Sequence, residues 1–105
     1  VTERFAVLDE LSQWIETHRA SLTERGLLLT SGASPEDGRD KRSMWLDIEG
    51  PQRLGRLILW DTGEAELELA DVASGEVNAR HHQVDDRDDF ERAAAALLDW
   101  VTAAR

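Results

Sequence analysis

Three observations in this 105-residue chain predict an α+β fold, in which a mostly antiparallel sheet of about five strands carries N- and C-terminal helices on one face. Apolar residues recur at helical spacing over Phe5–Leu22 and again from Phe90 onward. Between these ends lie short alternating or wholly apolar segments, broken by glycine, proline and acidic turns. Neither terminal helix can bury its stripe alone, so both are expected against the inner face of the sheet. The length suits a single domain over residues 1–105 and is too short for two independent cores.

The first helix places Phe5, Leu8, Leu11, Ile15 and Leu22 on one stripe with Trp14 and His18 beside it, and Thr2 can cap its start. Gly26 offers the left-handed conformation that commonly ends a helix. A short strand, Leu27–Thr30, follows. The segment SGASPEDGRDKR, Ser31–Arg42, has two glycines, a proline and mixed charges without an apolar period, so it reads as a long loop.

In SMWLDIE, Met44, Leu46 and Ile48 alternate with Trp45, Asp47 and Glu49. RLGRLILW is apolar on both faces over Leu57–Trp60, as a central strand should be. EAELELADV sets Ala65, Leu67 and Leu69 opposite Glu64, Glu66 and Glu68, and Ser74-Gly75 reads as the hairpin turn into EVNARHHQV. With those two residues central, Val72 meets Val77, Glu68 meets His81, Glu66 meets Gln83, Leu67 meets His82 and Leu69 meets Arg80. Asp88 as N-cap with Glu91 at the third helical position then opens the last helix, whose stripe is Phe90, Ala94, Leu97 and Val101 with Trp100 at its border.

The chain has 12 basic and 22 acidic residues, a formal net charge of -10. That sign repels a phosphate backbone, so direct nucleic-acid binding is not expected. It would speed encounter with a basic protein, although solubility alone also accounts for it. With no cysteine there is no disulfide, thiolate metal site or cysteine nucleophile, which agrees with a cytoplasmic protein. Charges at Glu3, Arg4, Asp9 and Glu10 interrupt any secretory leader pattern. The apolar run Ala93–Leu98 is far shorter than the roughly 20 residues that span a bilayer, so no membrane association is expected.

The segment WDTGEAELELADVASGE concentrates Asp61, Glu64, Glu66, Glu68, Asp71 and Glu76 with no Lys or Arg among them. Alternation alone puts Glu64, Glu66 and Glu68 on the side opposite the leucines. If helices cover the leucines, the glutamates face water, either as a solvated face or as a surface for a cationic partner. Acid/base catalysis would need one carboxylate buried with a raised pKa, which this pattern does not suggest. The Asp61-Thr62-Gly63 triplet resembles that of aspartic proteases, but such enzymes need two, and the triplet follows a strand where a tight turn needs glycine. No serine lies in a G-x-S-x-G elbow. His81 and His82 are adjacent in a strand and point to opposite faces, and the acidic run Asp85–Asp89 lacks the spacing of a calcium loop. No metal or cofactor site is expected, and the Ser31–Arg42 loop has no phosphate-binding fingerprint.

Trp14 and Trp100 are expected in the core or at its edge. Trp45 shares its strand side with Asp47 and Glu49, and Trp60 lies on the neighbouring strand. A tryptophan among carboxylates suits a partner that brings Arg or Lys, because it buries much area at small entropy cost.

The segment RLGRLILWDTGEAELELADVASGEVNARHHQV, followed by an acidic entry into FERAAAALLDWV, resembles the TriTu family of immunity proteins from bacterial polymorphic toxin systems. The resemblance extends to the leading helix with Trp14 and leaves out the Ser31–Arg42 loop. It implies a small cytoplasmic, non-enzymatic protein that binds and neutralises a cognate toxin domain. The choice of interface comes from the residues alone: Trp45 and Trp60 as apolar anchors, with Asp47, Glu49, Glu64, Glu66 and Glu68 opposing a basic toxin surface. The alternative is a small acidic adaptor or secretion chaperone, with a self-complementary apolar patch if dimeric. Homo-oligomerisation is open at this point.

Overall fold

In the computed structural model, which describes residues 6–35, 37, 38 and 40–103, five antiparallel strands form one sheet in the order of the chain. The elements are α1 (Val7–Glu24), β1 (Leu28–Ala33), β2 (Ser43–Glu49), β3 (Arg53–Trp60), β4 (Glu64–Asp71), β5 (Val77–Gln83) and α2 (Arg87–Thr102). The α+β arrangement is the one that the sequence patterning predicts.

Helix α1 buries Val7, Leu11, Ile15 and Leu22, with Leu8 and Trp14 at the margin of the core. The expected contributions of Thr2 and Phe5 lie outside the described residues. The helix ends in a Schellman motif: Leu27 N–H donates to the Leu22 carbonyl and Gly26 N–H to that of Thr23, each at 3.0 Å. Gly26 takes φ 82° to make this possible, and Leu27 is then buried close to Leu22 in sequence and in the core.

Strand β1 runs three residues beyond its expected end. Ser31, Gly32 and Ala33 pair with Leu46, Trp45 and Met44, which shortens the expected loop. Gly32 permits this, because a Cβ there would run into the Trp45 indole. β3 is the central strand as expected, with Leu57 and Leu59 fully buried.

The β4–β5 hairpin keeps the expected faces but is displaced by two residues. Glu66 pairs with His81, Glu64 with Gln83, Glu68 with Ala79, Leu67 with Arg80 and Leu69 with Asn78. The cause is Asp71, whose buried carboxylate accepts the N–H groups of Ala73 and Ser74 at 3.0 and 3.1 Å. This Asx turn widens the connection beyond a two-residue hairpin, and the ladder closes at Asp71 N–H to the Glu76 carbonyl instead of at Val72.

Helix α2 begins two residues earlier than the expected N-cap at Asp88 would place it. Asp86 is the N-cap and accepts from Asp89 N–H at 2.8 Å, while the Asp89 carboxylate accepts Asp85 N–H at 3.0 Å and pairs with Arg92. Arg87 then reaches Glu10 at 2.7 Å, tying the two helix N-termini together. These hydrogen bonds, that from Asp85 first and the Arg92 pair after it, hold the Asp89 carboxyl below its ordinary value of 3.8. A carboxyl depressed by folding stabilises the fold above its unfolded pKa, and that contribution is lost as pH falls through the lower folded value. Asp89→Asn should therefore lose less of its urea midpoint than the parent as pH falls through and below the ordinary value of 3.8. Equal losses in the two chains would show that Asp89 does not couple acid to folding.

Both helices lie on one face, α2 chiefly over β3 and α1 over β1 to β3. The core between them contains Leu11, Leu46, Ile48, Leu57, Leu67, Phe90 and Leu97. At the far end of α2, Trp100 Nε1–H donates to the Ala70 carbonyl at 3.1 Å and Arg53 stacks on the Trp100 ring at 4.0 Å. Arg53 Nε also lies 3.6 Å from Asp71, an ion pair longer than a hydrogen bond. Trp14 stacks on His18 with centroids 4.2 Å apart, and His18 Nδ1–H donates to the Trp14 carbonyl at 2.8 Å. Both helix tryptophans thus sit at the edge of the core, as their positions beside the stripes predict. Every residue of β5 is exposed.

Candidate protein-binding face

Because side chains alternate along strands, placing both helices over Leu46, Ile48, Leu57, Leu59, Leu67 and Leu69 leaves the opposite face of the sheet open. The register assembles that face in rows. Trp45, Ile58, Glu66 and His81 form one row, and Thr30, Asp47, Arg56, Glu68 and Ala79 form the next. Ser43 and Trp60 face each other at one end of the β2–β3 ladder, and Glu64 faces Gln83 on the β4–β5 ladder. All seven residues picked from the sequence, Trp45, Asp47, Glu49, Trp60, Glu64, Glu66 and Glu68, lie on this face by register.

Their surroundings differ. Arg56 Nε and Nη2 donate to the two Asp47 oxygens at 2.7 and 2.9 Å, a bidentate pair across the β2–β3 ladder. These hydrogen bonds, then the charge of Asp47 and the smaller contribution of Glu68, raise the Arg56 pKa. Lys41 Nζ lies 2.8 Å from Glu64 and 5.6 Å from the centre of the Trp60 ring. Its hydrogen bond and charge hold Glu64 below the ordinary carboxylate range. Among the described residues, the ion-pair neighbour of Glu66 is His81, with Nε2 at 3.9 Å. Among the described residues, Glu49 has no ion pair or side-chain hydrogen bond. The face therefore sets five carboxylates against the guanidinium of Arg56 and the ammonium of Lys41, and it is most acidic around Glu66, Glu68 and Glu49.

The two tryptophans are partly buried rather than free-standing. Trp45 lies against the bare backbone of Gly32, with the Arg56 guanidinium 5.4 Å from its ring centre. Trp60 shares Lys41 with Glu64. At both rings the cation position is filled by the protein's own side chain, Arg56 at Trp45 and Lys41 at Trp60, each also paired with a neighbouring carboxylate.

Several sequence features resolve as local structure. Gly63 has φ 94° and donates its N–H to the Trp60 carbonyl at 2.9 Å, so the Asp61-Thr62-Gly63 triplet is a turn. His81 shares a face with Glu66, whereas His82 pairs opposite Ala65 on the other side of the sheet. No helix among the described residues is long and apolar enough to cross a membrane.

A family model described as Immunity protein TriTu matches residues 9–100, from the first turn of α1 to Trp100 near the end of α2. This chain belongs to the TriTu family of immunity proteins. No curated protein matches it. In this immunity protein the match covers the whole sheet, and so the whole open face.

Sequence reasoning missed one part of that face. The register aligns Leu28, Glu49, Leu54, Ala70 and Val77 in a single row across all five strands. Leu28, Leu54 and Val77 are 60%, 39% and 63% exposed. The signal was present locally: Leu27 and Leu29 cannot both be buried in an extended segment without turning Leu28 outward, and Leu54 alternates with Gly55, Leu57 and Leu59 in the same way. What alternation could not supply is that these outward residues come into line.

Proposed function

We propose that this immunity protein neutralises a cognate toxin domain in the cytoplasm by stoichiometric, non-catalytic binding, and that the open face of its sheet is the docking surface. The observation that carries the proposal is the segregation of the two faces. Both helices cover the leucine side, while Glu64, Glu66 and Glu68 share the other side with Trp45, Trp60, Asp47 and Glu49. Arg56 and Lys41 offset Asp47 and Glu64, but Glu49, Glu66 and Glu68 pair with no Lys or Arg among the described residues, and this surplus of like charge on the bare face suits a partner that brings positive charge. Membership of an immunity family supports a toxin as that partner, and the acidity of the face supports a basic surface on the toxin. Long-range attraction sets the encounter rate, and apolar contacts set residence.

A toxin domain found in the coding sequence beside this gene should arrest growth when expressed, and co-expression of this chain should restore growth with a one-to-one complex recoverable by size exclusion. Failure to restore growth while both proteins accumulate in soluble form would remove the neutralisation reading.

A further inference from the structure

Beside its carboxylates and its two tryptophans, the open face carries an aliphatic row. The row Leu28, Glu49, Leu54, Ala70 and Val77 crosses four strand-to-strand gaps of about 4.8 Å each and so extends about 19 Å. Single exposed aliphatic residues are ordinary on soluble proteins. Here three of them, each more than a third exposed, stand in one line with an alanine, interrupted by one carboxylate. Leu54, Ala70 and Val77 contribute to a depression of about 290 Å³ whose margin includes Asp47, Glu49, Arg56 and Glu68. Arg56 is engaged by Asp47, and Glu49 and Glu68, the latter opposite Arg56 in the register, have no ion pair among the described residues, so these two carboxylates are the ones open to an incoming cation.

We infer that this row is the anchoring surface of the face, and that it takes a toxin segment presenting an apolar side chain flanked by Arg or Lys; the inference rests on the neutralisation reading above. Charge decides between this occupant and a second copy of the chain. Face-to-face pairing of two copies would bring Glu49, Glu66 and Glu68 of each close to the same acidic face of the other, in a protein of net charge -10. A cation-flanked apolar segment fills the depression and meets the free carboxylates at its margin. Apolar contacts at the centre of a docking face hold a complex after it forms, whereas peripheral charges govern its rate of formation.

The row can be tested without disturbing the core, since Leu54 and Val77 are exposed. Leu54→Ser and Val77→Ser are measured by surface binding kinetics against a catalytically inactive form of the toxin domain encoded beside this gene. Each should raise the dissociation rate by about tenfold, with the association rate and melting temperature close to those of the parent. Glu49→Lys should lower the association rate by about tenfold at low salt. If the parent binds and both serine variants dissociate as it does, the row is not the anchor and this inference fails alone. If the parent does not bind, the neutralisation reading fails and takes this one with it. Light scattering on the free protein covers the remaining case: a dimer that Leu54→Ser converts to monomer would assign the row to a second copy and overturn the proposal.

Discussion

Leu97→Ala is expected to lower the unfolding free energy by about 2–5 kcal/mol, and Gly55→Ala by about 1–3 kcal/mol, while the double variant loses less than the sum of the two. Leu97 is fully buried on α2 between Phe90 and Val101. It packs where α2 comes closest to the central strand, and the approach is possible because Gly55 has no side chain. A Cβ at Gly55 would overlap Leu97 Cδ1 while meeting the Leu69 side chain and the Glu68 carbonyl at ordinary contact distance, so it is Leu97, fully buried, that must shift. In Leu97→Ala the loss is the transfer energy of the removed carbons and a cavity over β3. In Gly55→Ala it is overpacking, reduced by the better strand propensity of alanine, which is worth about 0.5–1 kcal/mol. The double variant puts a methyl group into the space that the leucine vacated. A coupling of at least about 0.5 kcal/mol in the favourable direction is expected, measured by urea unfolding of all four chains. Strict additivity would mean that α2 does not meet β3 through this pair. Against a total stability of about 5–15 kcal/mol, Leu97→Ala alone could leave the chain marginal at 37 °C.

Gly55 also shows what could and could not be read from the chain. Periodicity identified both helices and β2 to β4, because the inward positions of those strands alternate cleanly and the buried helix residues recur every three or four positions; β1 was legible as a short apolar run, and β5, exposed throughout, only from the turn before it. Termini and register were less legible because they depend on single hydrogen-bonding side chains. Asp71 could have been one more acidic residue in a run; its carboxylate instead folds back onto Ala73 and Ser74 and displaces the whole β4–β5 ladder by two residues. The sequence pointed to Asp88 as the cap, but Asp86 serves because its oxygen meets Asp89 N–H while Asp89 reaches back to Asp85. The candidate face was legible as far as strand parity reaches, which assigns each side chain to a side. It was not legible across strands, where Arg56 neutralises Asp47 and Leu28, Leu54 and Val77 come into line. Those neighbours are distant in sequence, and only the register joins them.

The same register sets an order among charge reversals. Glu66→Lys is expected to slow association with a basic toxin domain by about tenfold or more at low salt, and addition of Glu68→Lys should bring the loss toward a hundredfold. Glu64→Lys should have a smaller effect, because Lys41 already offsets the charge of Glu64 at 2.8 Å and would be released toward solvent by the substitution. Glu66 is the cleanest test: it faces Ile58 on one side and His81 on the other, so its reversal breaks no ion pair with Lys or Arg. Glu68 faces Arg56, and a lysine there adds local repulsion that a melting curve will register. The differences should shrink as ionic strength rises, since the screening length falls from about 10 Å at 0.1 M to about 3 Å at 1 M. Dissociation rates should change much less than association rates, which separates this acidic part of the face from the aliphatic row beside it. If Glu66→Lys binds the toxin domain at the parental rate in low salt, the glutamate ladder takes no part in steering. The accumulation of like charge on the bare side of the sheet would then need no explanation beyond its hydration.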